Sequence, residues 1–170
     1  MYKCKPESNI KSTGLLVFGS FAVTLITLFV AEAVAYSGPV RLLGFAFFVS
    51  SLLFIMRYGM TEMEYTVDGT DFSVTKTVGS KKTVVCNINL ESAIGVYEKN
   101  EYNHLPASEK GIIKYNLCQN FRAESFVLLF DFNGKRAMVE FEPNNTFVGI
   151  LKTAIENAKK NTDSTENENH

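Results

Sequence analysis

The sequence predicts an α+β chain: two long apolar helices, then a seven-stranded, bent antiparallel β domain closed by one amphipathic helix. Three observations carry this reading. Residues 14–58 are overwhelmingly apolar, whereas the remainder has the mixed composition of a water-facing domain. Seven short strand-like segments follow, with strong turn pairs at Asp68-Gly69 and Asn133-Gly134. The apolar spacing then changes to the helical period after Asn144.

The apolar third comes in two runs. Gly14 to Tyr36 carries Glu32 as its only charge. At about 1.5 Å per residue its roughly 23 residues cross a hydrocarbon core of about 30 Å. Val40 to Tyr58 has about 15 uncharged residues between Arg41 and Arg57, so it spans only if both arginines snorkel to the headgroups. Together the runs are too long for one crossing. Ala33-Val34-Ala35 resembles a signal-peptidase site, but the run before it is longer than an ordinary signal core. Ser37-Gly38-Pro39 fits the turn of a transmembrane hairpin: glycine accepts positive φ and proline heads a helix. Lys3, Lys5, Lys11 and Arg57 outnumber Arg41 in the turn, which places both termini in the cytoplasm of a multi-pass plasma-membrane protein. Glu32 sits near the interface, where pairing with Arg41 is expected rather than an ion pathway.

The β domain begins with Glu62–Val67, turns at Asp68-Gly69 and returns as Asp71–Thr77, with Phe72 and Val74 on one face. Lys82–Ile88 and Ala93–Lys99 are the next two strands. A long loop, Tyr97–Gly111, leads to Ile112–Phe121. Ser125–Phe132 and Lys135–Glu142 pair across Asn133-Gly134. Asn144 to Thr146 offers N-cap chemistry. Phe147, Ile150, Leu151, Ala154, Ile155 and Ala158 then form a single apolar stripe, suited to covering the open end of a bent sheet. The divisions are a cytoplasmic N-terminal segment (1–13), the transmembrane hairpin (14–58), the β domain with its helix (59–161) and a disordered tail (162–170).

Seven strands, those two hairpins and a closing helix resemble the pleckstrin-homology-like (PH-like) fold, in its bacterial membrane-tethered form with two preceding helices. "YTVDGTDFSV" is similar to the family's opening hairpin, and "FVLLFDFNGKRAMVEFEPNNTFVGILKTAI" to its last hairpin and helix. The resemblance implies a binding or scaffolding module and carries no catalytic signature. Phosphoinositide-binding relatives hold phosphates with cations around the first hairpin. Here that turn presents Asp68 and Asp71, which would repel phosphate.

The remaining candidates are few. Lys76, Lys81 and Lys82 flank the second turn and could touch an anionic leaflet, though a solvated loop is the plainer expectation. Tyr97, Tyr102 and His104 lie in the long loop, where partner contact is the first guess. With a net charge of −1, nucleic acid is not an expected partner. Cys4, Cys86 and Cys118 have no metal-ligand spacing and read as free thiols; a Cys86–Cys118 disulfide would need an exported domain. No motif for nucleophilic, metal or dinucleotide chemistry occurs, so no enzyme activity, cofactor, metal or small-molecule substrate is expected. The expected partners are the lipid bilayer and a protein at the membrane. The rival readings are a regulatory subunit acting through its helices, and an anionic-lipid sensor.

Overall fold

The computed structural model describes residues 1–6, 10–33, 37–120 and 124–167. It divides into two compact units, a helical hairpin (8–61) and an α+β domain built from the remainder, apart from a few residues near 120.

In the hairpin unit, α1 (Ile10–Ala33) and α2 (Ser37–Phe54) pack antiparallel: Gly44 faces Thr27 and Leu28, while Thr24 and Ser51 line one crevice nearer the other end. Ser37-Gly38-Pro39 is the first turn of α2 rather than a connecting loop, with Pro39 where its missing N–H leaves no helical bond unmade. The three preceding residues, 34–36, lie outside the described residues, as does the side chain of Glu32 in the expected Glu32–Arg41 pair. A widened helical turn, Ile55–Gly59, ends α2, with the Met60 N–H donating to the Ile55 carbonyl. Among the described residues one helix, Gly38–Gly59, is long and apolar enough to cross a membrane; the apolar stretch of α1, Val17–Val30, is shorter.

The α+β unit holds eight strands among the described residues. Seven are those expected: β2 (Thr61–Asp68), β3 (Asp71–Val78), β4 (Lys81–Asn89), β5 (Ala93–Glu98), β6 (Ile113–Asn116), β7 (Phe126–Phe132) and β8 (Lys135–Phe141). The eighth, β1 (Tyr2–Cys4), comes from the N-terminal segment that was expected to be a separate cytoplasmic stretch. It pairs antiparallel with β2, Lys3 opposite Thr66, and Lys3 reaches Glu64 at 2.8 Å. The strands form two four-stranded sheets, β1-β2-β3-β4 and β5-β7-β8-β6. The second sheet is mixed rather than antiparallel, because β6 runs parallel to β8. All of β7 lies in sequence between β6 and β8, a connection long enough for parallel pairing, which a tight hairpin between the two would not allow.

Turn chemistry is where expected. Asn133 and Gly134 both take positive φ (53° and 72°), the geometry of a two-residue hairpin loop matched to strand twist. The Asp131 carboxylate accepts from the Gly134 N–H at 2.8 Å and holds that turn.

The helix α4 runs from Asn145 to Asn167, so residues 162–167 continue it where a disordered tail was expected. Asn144 caps it, its side chain accepting from the Phe147 N–H at 2.8 Å. Phe147, Leu151, Ile155 and Ala158 enter the main core between the sheets, beside Tyr65, Phe72, Leu128 and Phe141. Tyr65 is fully buried; its hydroxyl donates to the Leu117 carbonyl at 3.0 Å and accepts from the Glu142 N–H at 3.2 Å.

A second, smaller core lies on the opposite face of the β5-β7-β8-β6 sheet, where Tyr102 packs with Val127, Leu129 and Met138. Its cover is α3 (Lys99–His104), folded from the stretch expected to be an irregular loop. β7 is therefore buried on both faces, which is why it reads Phe-Val-Leu-Leu-Phe without alternation.

Candidate functional site

Two kinds of surface can carry function here, and each lies within its own unit. The first is the outside of the helical hairpin. Its packing is inverted relative to a water-soluble helix pair: Thr24 and Ser51 are buried between the helices, while Phe18, Phe29, Leu42 and Phe45 point outward. Phe29 is 80% exposed and Leu42 74%. The buried hydroxyls need no water, since Thr24 donates to the Ser20 carbonyl at 2.9 Å and Ser51 to the Phe47 carbonyl at 2.8 Å. Small and self-bonded residues at the contact with large apolar residues facing out is the arrangement that hydrocarbon favours. Arg57 stacks over the Tyr58 ring at 5.3 Å, in the widened turn that ends α2.

The second kind lies on the α+β unit. In the β3–β4 hairpin Lys82 stands opposite Thr77 and Lys81 opposite Val78, so Lys76 and Lys81 share one face and Lys82 the other. Lys81 and Lys82 are exposed and Lys76 half-buried. The three cations gather at one end of the hairpin without forming one flat patch. Across the sheet, the Lys3 ammonium donates to the Glu64 carboxylate and holds its pKa below the ordinary value; burial opposes this, while the charges of Lys5 and Lys82 assist by less.

The segment 97–111 departs most from its expectation. Tyr102 is in the second core, its hydroxyl accepting from the Gly111 N–H at 2.9 Å, and so cannot meet a partner. Tyr97 lies in β5 and packs half-buried against the same cluster. His104 is exposed, with Nδ1 2.7 Å from the Asn100 carbonyl. The segment is pinned on several sides. Lys99 pairs with Glu140, which also accepts from the Ser125 hydroxyl at 2.7 Å, and Arg136 donates to the Ser108 carbonyl at 3.0 Å. Gly111 is required at its position, because a Cβ would come within 2.9 Å of the Met138 backbone nitrogen. The unbroken apolar run of β7 was the sequence signal that something must cover this face. None of Cys4, Cys86 and Cys118 is in a disulfide, and burial raises the Cys86 thiol pKa above its ordinary value.

One surface had no expectation attached to it. A groove of ≈ 690 Å³ lies between α4 and the β1–β2 end of the first sheet, lined among others by Tyr2, Thr70, Gly149 and Asn157.

Compared with known proteins, residues 5–160 match the family model described as Bacterial PH-like domain (DUF6106). No curated protein and no solved structure matches the chain.

Proposed function

The chain belongs to the Bacterial PH-like domain family, and on that premise we propose that it is a membrane-anchored binding or scaffolding module without catalytic activity. The observation that carries the anchoring is the inverted packing of α1 and α2. Placing Phe18, Phe29, Leu42 and Phe45 in lipid removes from water an apolar surface that no other part of that unit covers. In this reading both helices span, Arg41 and Arg57 reach opposite headgroup layers, and both termini face the cytoplasm of a multi-pass plasma-membrane protein. The anchor confines the domain to two dimensions and raises its effective concentration for a protein partner at the same surface.

The experiment is topological. A single cysteine placed after Lys160, in a chain with Cys4, Cys86 and Cys118 changed to serine, is exposed to an impermeant thiol reagent on intact cells. Protection until lysis, with the chain retained in membranes through alkaline extraction, supports the reading. Labelling of intact cells overturns the orientation, and release by alkali overturns the anchor.

A second reading is favoured by Lys76, Lys81 and Lys82: contact of the β3–β4 turn with an anionic leaflet, at about 1 kcal/mol per cation near the surface. Changing all three to glutamine would then weaken salt-sensitive binding to phosphatidylglycerol vesicles. A third, a regulatory subunit acting through its helices, predicts loss of function when an unrelated two-span anchor replaces residues 14–58.

A further inference from the structure

The lining of the groove along α4 limits what it can hold. None of the residues lining it is charged. Thr146, Thr153, Asn157 and Asn161 run along the flank of α4 as hydroxyl and amide groups, facing the 59% exposed ring of Tyr2. The Thr153 hydroxyl donates to the Gly149 carbonyl at 3.1 Å, which leaves its oxygen able to accept. Such a wall rewards uncharged hydrogen-bonding groups and offers a phosphate or carboxylate no cation.

Gly149 is the second observation. In a helix interior glycine is about 1 kcal/mol less favourable than alanine. A Cβ there would meet nothing within 4 Å, so no close packing requires the missing side chain. Its effect is to keep the groove open.

The third is the free edge beside it. β1 is an edge strand of its sheet. Of the other three edge strands, β4 and β5 are guarded. β4 carries Lys81 and Lys82 and a bulge at Val85, both of which discourage pairing, and the Ile94 carbonyl on β5 accepts from Lys159 of α4 at 3.2 Å.

We propose that this groove binds an extended, uncharged peptide segment of a protein partner, its backbone paired to the edge of β1 and its side chains lying between Tyr2 and α4. The lined stretch of α4, Thr146 to Asn161, is about 22 Å long at 1.5 Å per residue, which matches roughly six or seven residues of extended chain, at most three of them opposite the three-residue β1. Backbone pairing supplies affinity, and the amide and hydroxyl wall supplies selection against charge. The proposal rests on the binding-module reading and names the chemistry of its partner.

The test pans the full chain, in dodecyl maltoside micelles, against a library of random heptapeptides. Gly149→Leu fills the groove with a better helix former, and Asn157→Lys puts a charge in its wall. Lys152→Ala, exposed and outside the groove lining, is the control. Enriched peptides should carry no net charge. Their affinity should fall at least about tenfold in both groove variants and stay within about twofold in Lys152→Ala, with the melting temperature of Gly149→Leu unchanged or raised. Peptides that bind Gly149→Leu and Asn157→Lys as well as the parent chain overturn the groove and leave the binding-module reading standing. Enrichment of charged peptides also overturns the groove. A library that yields no ligand for the parent chain overturns the groove and removes support for peptide binding by the module.

Discussion

Replacing Tyr65 by phenylalanine removes one oxygen from the centre of the α+β unit and leaves the ring in place. That oxygen holds two backbone groups from distant parts of the chain, the Leu117 carbonyl at 3.0 Å and the Glu142 N–H at 3.2 Å. With Tyr65 fully buried, no water takes over either bond. A buried polar group left without its partner costs about 1–3 kcal/mol. The longer bond belongs at the low end of that range, so the pair amounts to roughly 2–3 kcal/mol. At about 4–6 °C per kcal/mol for a domain near this size, the melting temperature should fall by roughly 8–18 °C. Burial also holds the phenol pKa far above its ordinary value. The folded form therefore keeps a proton that the unfolded chain loses near pH 10. The wild-type contribution is complete below about pH 10 and declines as pH rises beyond it, so the gap between the parent chain and the Tyr65→Phe variant should narrow in alkali. Guanidinium titration of the full chain in detergent, read by hydrogen exchange in β8 and α4, measures both effects. A loss below about 0.5 kcal/mol, or a gap unchanged by alkali, refutes the reasoning.

Gly111→Ala drives a methyl group into the Met138 backbone and should destabilise the unit by roughly 1–3 kcal/mol; melting within about 1 °C of the parent would count against the packing described. Tyr102→Phe orphans the Gly111 N–H and should cost about 1–2 kcal/mol while leaving membrane retention unchanged, as measured on the same preparations. Glu64 ionises more readily in the folded chain, so its modest stabilisation of β1 on β2 is present above about pH 4.3 and fades as pH falls through its lower folded value. Glu64→Gln should flatten that part of the acid titration, and an unaltered profile would deny the ion pair a role. Phe45→Lys places a charge on the outward face of α2, at about 2.5–3.5 kcal/mol for a lysine at mid-bilayer, and should lower retention after alkaline extraction; full retention would argue that this face meets protein or water.

The features that could be read in advance are those written into neighbouring residues. Asn133-Gly134 makes a hairpin because positive φ is tolerated locally. Asn144 starts α4 because its own side chain caps the N–H three residues on, and the 3.6-residue stripe from Phe147 to Ala158 shows which face is buried. The apolar character of 14–58 is equally local. What could not be read depends on contacts between residues far apart in the chain. Tyr2–Cys4 is only three residues, too short for its alternation to signal a strand, and it becomes one only because β2, some sixty residues later, offers an edge. Residues 99–104 become a helix over a second core because the β5-β7-β8-β6 sheet has an apolar outer face to hide, which also moves Tyr102 from candidate contact to interior. The groove arises the same way, from β1 and α4 meeting across more than a hundred residues of sequence. Local dihedral preference and periodicity act within a few residues and are legible there. Burial of a face and pairing of an edge depend on which surfaces meet, and tertiary structure alone decides that.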